Sequence, residues 1–271
     1  MSSKPVAVAA REPVLMRHLS LLAAKYFGVK DEQGSYRLPF GYQLSCGSDV
    51  SYSEVKAMEF VSKHTKIPVP IVYSYFTHRN QGYVLVKRRK GMPLDVDWGT
   101  RTEASKRAIL LQLVDFMTEL RALTLISESN MHDPDASPKQ PPSEKRVEFN
   151  ENTILGPSLN AQEFHRFLRR GRNDSYGKQF NALKTKEYQN IFTHGELYAK
   201  NILVEGDRIT GIVGWSVAGW YPSYWEYVSA LRYAGNQKFG IFNEQDLEQF
   251  LAPFPEELNL YKIWNQWFGG L

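Results

Sequence analysis

Several things are scarce in this chain of 271 residues. Its one cysteine, Cys46, excludes an internal disulfide and a cysteine-based zinc cluster. Long apolar runs are missing: no stretch approaches the roughly twenty apolar residues that span a bilayer. Residues 1–10 lack the basic start and apolar run of a secretory signal. The expectation is a cytoplasmic protein with no membrane partner. Charge of one sign is also in short supply. A net charge of +4, without a basic stripe or tail, gives nucleic acid no footing. His18, His64, His78, His132 and His165 show no metal-ligand spacing, so no metal is expected. What is present is ordinary, with 42% hydrophobic and 23% charged residues and length enough for a large core.

Periodicity organises the chain. Tyr36–Ser45 and Ile71–Phe76 are β-rich runs flanking a helical segment, and Gly82–Val86 is a third run after a polar turn. The helix between them starts at Ser51 and Glu54, which have capping-box spacing, and turns Val55, Met58 and Val61 to one face. Ile67-Pro68-Val69-Pro70 ends it. A second helix is expected from Thr100–Glu103, with Ile109, Leu113, Phe116 or Met117, and Leu120 inward. Ser127–Asn150, with four prolines, is read as a long loop. Asn160–Arg170 reads as a helix with Phe164, Phe167 and Leu168 inward. Asn201–Val213 reads as a hairpin turning at Gly206-Asp207, and the remainder as mainly helical and rich in aromatics.

One stretch carries most of the chemical information: Thr193-His194-Gly195-Glu196-Leu197-Tyr198-Ala199-Lys200-Asn201-Ile202-Leu203-Val204. With Gly211-Ile212-Val213-Gly214-Trp215 and Ala218–Tyr227, it resembles the aminoglycoside phosphotransferase family, choline kinase-like and close to its fungal members. That resemblance covers roughly Tyr36 to Tyr233. It implies an α+β, two-lobed protein-kinase-like fold: a small β-rich lobe over residues 1–90 and a mainly helical lobe over 91–271, with a ligand cleft between them. Members of the family usually carry His-x-Asp-x-x-x-x-Asn and a metal-binding Asp thirteen residues later. Here the first Asp is Glu196, the Asn is Asn201, and Gly214 stands at the metal position. The resemblance also places the phosphate-gripping lysine at Ser45 and its helix glutamate at Glu54.

Phosphoryl transfer in such folds rests on positioning and charge neutralisation. Glutamate at 196 keeps the charge but moves it by one methylene, and a shift of about 1 Å can cost a hundredfold. Each lost electrostatic contact typically costs about 10²–10³ in rate. Ordinary magnesium–ATP chemistry is therefore not expected, and no cofactor is assigned. Glu205 and Asp207, at the hairpin tip, should point away from the site.

Between the strand Tyr83–Val86 and Gly91-Met92-Pro93-Leu94 lies Lys87-Arg88-Arg89-Lys90, where the family has apolar and acidic residues. Four cations are poor walls for adenine. They suit either solvent or an anionic ligand, carboxylate or phosphate. Candidate ligand contacts are Lys87, Arg88, Arg89, Tyr198, Lys200, Asn201, Trp220 and Tyr224. Candidate catalytic groups are Glu196 and His194, the latter either a proton relay or a structural residue. The leading expectation is a repurposed enzyme performing acid–base or electrostatic catalysis of a cyclisation, rearrangement or condensation on a small molecule. The alternatives are a non-catalytic pseudokinase that senses a ligand, and a residual phosphotransferase. The sequence sets no oligomeric state.

Overall fold

The computed structural model describes residues 14–31, 34–47, 50–79, 81–130, 161–168, 186–231 and 242–268. Helix α1 (Val14–Phe27) lays Met16, Leu21 and Ala24 on the outer face of a five-stranded sheet, against Leu44, Phe76 and Leu85. That sheet holds β1 (Val29–Lys30), β2 (Tyr36–Arg37), β3 (Tyr42–Gly47), β4 (Ile71–His78) and β5 (Gln81–Lys87). Its order is β1-β2-β3-β5-β4, with every neighbour antiparallel. Side chains alternate across it, so Leu44 faces α1 while Gln43 and Ser45 face the opposite way.

The strand expected over Tyr36–Ser45 is broken in two. Pro39 cannot donate to a ladder, and Phe40 and Gly41 hold φ of 57° and 74°, so the chain turns before β3 begins. Between β3 and β4 runs α2 (Tyr52–His64), started as expected by Ser51, whose Oγ accepts the Glu54 amide at 3.2 Å. Val55, Ala57, Met58 and Val61 form its buried face.

The long helix α3 (Glu103–Asn130) buries Ile109, Leu113, Met117, Leu120 and Leu123. Two details differ from the sequence reading. Its cap is Thr102, whose Oγ1 accepts the Ser105 amide, whereas the Thr100 hydroxyl bonds Asp97. Ser127–Asn130, expected as loop, are helical, and 131–150 lie outside the described residues. In α4 (Ala161–Leu168) Phe164 is buried, while the side chains of Phe167 and Leu168 fall outside the description.

Five short strands build the floor on which the candidate loop rests. They are β6 (Met92–Pro93), β7 (Asn190–Thr193), β8 (Ile202–Glu205), β9 (Arg208–Ile212) and β10 (Gly219–Pro222). They pair as β6-β8-β9 and β7-β10, all antiparallel. The expected hairpin is thus present. Asp207 at its tip faces away, accepting from Ser105 and Arg101 of the α3 end. Helices α5 (Trp225–Leu231), α6 (Glu244–Glu248) and α7 (Pro255–Phe268) close the fold. Trp215, Tyr227, Phe164 and Phe192 are among the largest fully buried side chains, so most of the aromatic richness is core. Among the described residues no helix is long and apolar enough to cross a membrane.

Candidate functional site

The loop from His194 to Asn201 joins β7 to β8, and its shape is held from below by one buried carboxylate. Glu226, in the first turn of α5, accepts the backbone amides of His194 at 2.6 Å and Gly195 at 3.1 Å. Burial pushes this carboxyl up to about 7, although both amides and the Arg121 charge work against the rise. Gly195 has φ of 81°, and a Cβ there would press on Val217. A glycine is needed at that corner.

His194 is fully buried and engaged at both ring nitrogens. Nε2 donates to the Val213 carbonyl at 3.0 Å, and Nδ1 accepts the Glu196 amide at 3.2 Å. This fixes one neutral tautomer, and burial drives the imidazole down to about 4. It packs edge-on to Trp215, with centroids 4.4 Å apart. The structural role considered for His194 matches this geometry; a proton relay does not, since neither nitrogen faces an acceptor that titrates.

Asn201 is buried, and its Nδ2 donates to the Glu196 carbonyl at 2.9 Å. Gly214 follows the β9 strand with φ of 83°. A Cβ built on it would lie 2.5 Å from Asn201 Nδ2 and 2.8 Å from its Cγ. The asparagine amide therefore fills the space through which a metal-binding carboxylate at 214 would enter. Gly214 offers no side-chain oxygen for a metal and Ser45 no ammonium for a phosphate.

Above this loop lies a cavity of about 650 Å³, between it and the underside of the sheet. Its roof is Arg37, Gln43, Ser45, Val84 and Val86, and Gln43 Nε2 donates to Ser45 Oγ at 3.1 Å. Its floor includes Tyr198, Lys200, Asn201, Leu203 and Gly214, and its side near the crossing segment is Arg88 and Arg89. Arg89 is tied down, with Nε donating to Val69 O at 2.7 Å and its stem lying against Gly211. Four cations thus share one cavity: Arg37, Arg88, Arg89 and Lys200.

Glu54 projects into the same cavity from α2, with no cation bonded to it among the described residues. Burial pushes it up to about 7, and the Glu196 charge adds to the rise. The ordinary value is 4.5, so folding binds a proton at Glu54, and its contribution to stability falls as pH rises from about 4.5 through 7. Glu54→Gln should therefore be more stable than the wild type at pH 8, by about 3.4 kcal/mol at most, and match it below pH 5. Parallel melting curves from pH 5 to 8 check this, and a constant offset would refute it.

Of the expected ligand contacts, Arg88, Arg89, Tyr198, Lys200 and Asn201 line the cavity together. Three do not. Lys87 sits on the outer face of the sheet, bonding Phe40 O and lying 4.5 Å over the Tyr42 ring. Trp220 packs between Phe192 and Phe60. Tyr224 is buried, its hydroxyl 2.8 Å from His165 Nε2. Both aromatics are core because β10 and the start of α5 turn that face inward. Arg37 and Gln43 escaped the sequence reading. Gln43 was within reach from its two-residue spacing to Ser45, but Arg37 needs the β2–β3 register, which pairs Arg37 with Gln43.

Comparison with known proteins identifies the family and the fold. The phosphotransferase enzyme family model (APH) matches residues 49–261. The crystal structure of aminoglycoside phosphotransferase APH(4)-Ia superposes with a TM-score of 0.60 at 15% identity, covering 92% of this chain and 88% of that one. The streptomycin–ATP ternary complex of APH(2")-IIa gives 0.57 at 13% identity, covering 95% and 89%. Macrolide 2'-phosphotransferase MphH from Brachybacterium faecium gives 0.51 at 14%, covering 91% and 88%. No curated protein matches the sequence.

Proposed function

This chain belongs to the APH phosphotransferase enzyme family, and from that premise we propose that it has given up magnesium–ATP phosphotransfer and acts as a metal-independent enzyme on an anionic small molecule. The small lobe in this reading ends near Lys90 and the large one begins at Gly91. Support for that boundary comes from β5 ending at Lys87 and β6 pairing with β8.

The observation that carries the reading is the cavity's wall. Arg37, Arg88, Arg89 and Lys200 line it together with two carboxyl groups, Asp31 and Glu54, while Ser45 and Gly214 in the same lining carry neither an ammonium nor a carboxylate. Guanidinium groups bind carboxylate and phosphate in planar, paired contacts, so side chains take over the neutralising role of a metal. In this reading Glu196 is the acid–base group: it stands outside the cavity's lining but near enough to raise Glu54, a half-buried residue whose own N–H and C=O are both bonded. His194 holds that loop and stays neutral. A cyclisation, rearrangement or condensation needs a shaped cleft and one placed proton, and the cavity with a carboxyl group beside it supports that reading.

Thermal-shift titration tests the reading with citrate, pyrophosphate and ATP, each with magnesium or with EDTA. A polyanion at about a hundred times its Kd should stabilise by about 2.7 kcal/mol, equally in both conditions, and Arg88→Glu should abolish the shift. Stabilisation by ATP alone, and only with magnesium, would restore the phosphotransferase reading. Binding without turnover by the wild type would favour a ligand sensor, and unchanged turnover in Glu196→Gln would remove Glu196 from the mechanism.

A further inference from the structure

Helix α1 has two apolar faces, and among the described residues only one of them is packed against the rest of the chain. Met16, Leu21 and Ala24 pack on the sheet. On the other side Leu15, Leu19, Leu22 and Tyr26 are 66%, 51%, 49% and 67% exposed. Their spacing of four, three and four residues keeps them in one stripe along the helix. Phe27 and Val29, 67% and 69% exposed, extend the apolar surface past the helix end. A stripe of large apolar side chains this open marks a contact surface.

Charge says what it contacts. Residues 14–30 contain Arg17, Lys25 and Lys30 and no aspartate or glutamate. The first carboxylate beyond them, Asp31, faces the cavity and accepts the Ser35 amide at 2.9 Å. A second copy of this face would bring like charges together, so self-pairing is disfavoured. Lys25 Nζ lies 5.3 Å over the exposed Tyr26 ring, and Lys30 Nζ 5.8 Å over the half-buried Tyr36. Apolar side chains flanked by cations and tyrosine, on a convex helix rather than a groove, match the boundary between headgroups and acyl chains.

We propose that α1 docks the protein on an anionic bilayer surface, burying Leu15, Leu19, Leu22 and Tyr26 at the headgroup level while Lys25 and Lys30 meet lipid phosphates and carboxylates. The helix lies on the membrane and does not cross it. This inference is independent of the chemistry assigned to the cleft, and it revises the sequence expectation of no membrane partner.

Co-sedimentation of the full chain with phosphatidylcholine vesicles containing about 30% phosphatidylserine tests it, beside pure phosphatidylcholine. Binding should need the anionic lipid and weaken with salt. The Leu19→Glu, Leu22→Glu double variant should lower the partition coefficient at least roughly tenfold with an unchanged melting temperature. Lys25→Glu with Lys30→Glu should lower it to a similar extent. Three results overturn the proposal. One is equal binding, or none, on both vesicle types. Another is a dimer in sedimentation velocity that the double variant splits, which would make a second copy the occupant. The third is a large loss of melting temperature in the double variant, which would mean that the chain itself covers the stripe.

Discussion

Glu226→Ala should cost about 2–5 kcal/mol of stability, the largest single-site effect outside the aliphatic core. The variant leaves the amides of His194 and Gly195 buried without an acceptor, and each such group costs about 1–3 kcal/mol. Removing a desolvated carboxyl offsets part of that loss, because burial already holds Glu226 near 7. Urea denaturation gives the total. Hydrogen exchange locates it: the amides of residues 194 and 195 should exchange about a hundredfold faster for a 2.7 kcal/mol loss, well beyond any change in α2 amides. Glu226→Gln should fall between, since its amide oxygen can accept one N–H and its NH₂ opposes the other. A uniform rise in exchange across the chain, with no excess at the loop, would refute a local clamp.

Gly214→Asp should fail as a repair. A simple view of position 214 is that a carboxylate has been deleted and can be put back. The packing argues otherwise, because a Cβ there meets Asn201 Nδ2 at 2.5 Å, and that amide is bonded to the Glu196 carbonyl. The aspartate must displace Asn201, break this bond and adopt φ near 83°. The expected cost is about 1–3 kcal/mol. No magnesium-dependent ATP binding should appear by calorimetry. If instead the single change brought tight magnesium–ATP binding at unchanged stability, the site would be an intact kinase centre silenced at one position.

These expectations show where sequence is legible and where it is not. The α2 start could be read because Ser51 and Glu54 act over three residues, and local hydrogen bonds leave local patterns. The hairpin Ile202–Ile212 was readable for the same reason. Glu226 as a clamp was not, since its bond to His194 spans 32 positions and nothing in the intervening sequence encodes the approach. Trp220 and Tyr224 were misplaced because an aromatic near a motif looks the same whether its ring faces a cleft or a core. Arg37 was missed because only strand register carries it to the cavity. Helix α1 was missed as well: its apolar residues point both ways, which blurs the one-sided period that identifies a helix.

The segment that joins the sheet to the floor is fastened along its length. Arg89 reaches back to Val69 O, Thr210 Oγ1 holds Lys90 O at 2.6 Å, and Ile212 N bonds Pro68 O at 2.8 Å. Gly91, at φ of 111°, lies so close to Val204 O that no larger residue fits. Fastening of this kind should limit bending at the crossing segment. A small molecule held in the cavity should then be selected by the present dimensions of the chamber, and analogues grown by more than a few atoms should bind more weakly.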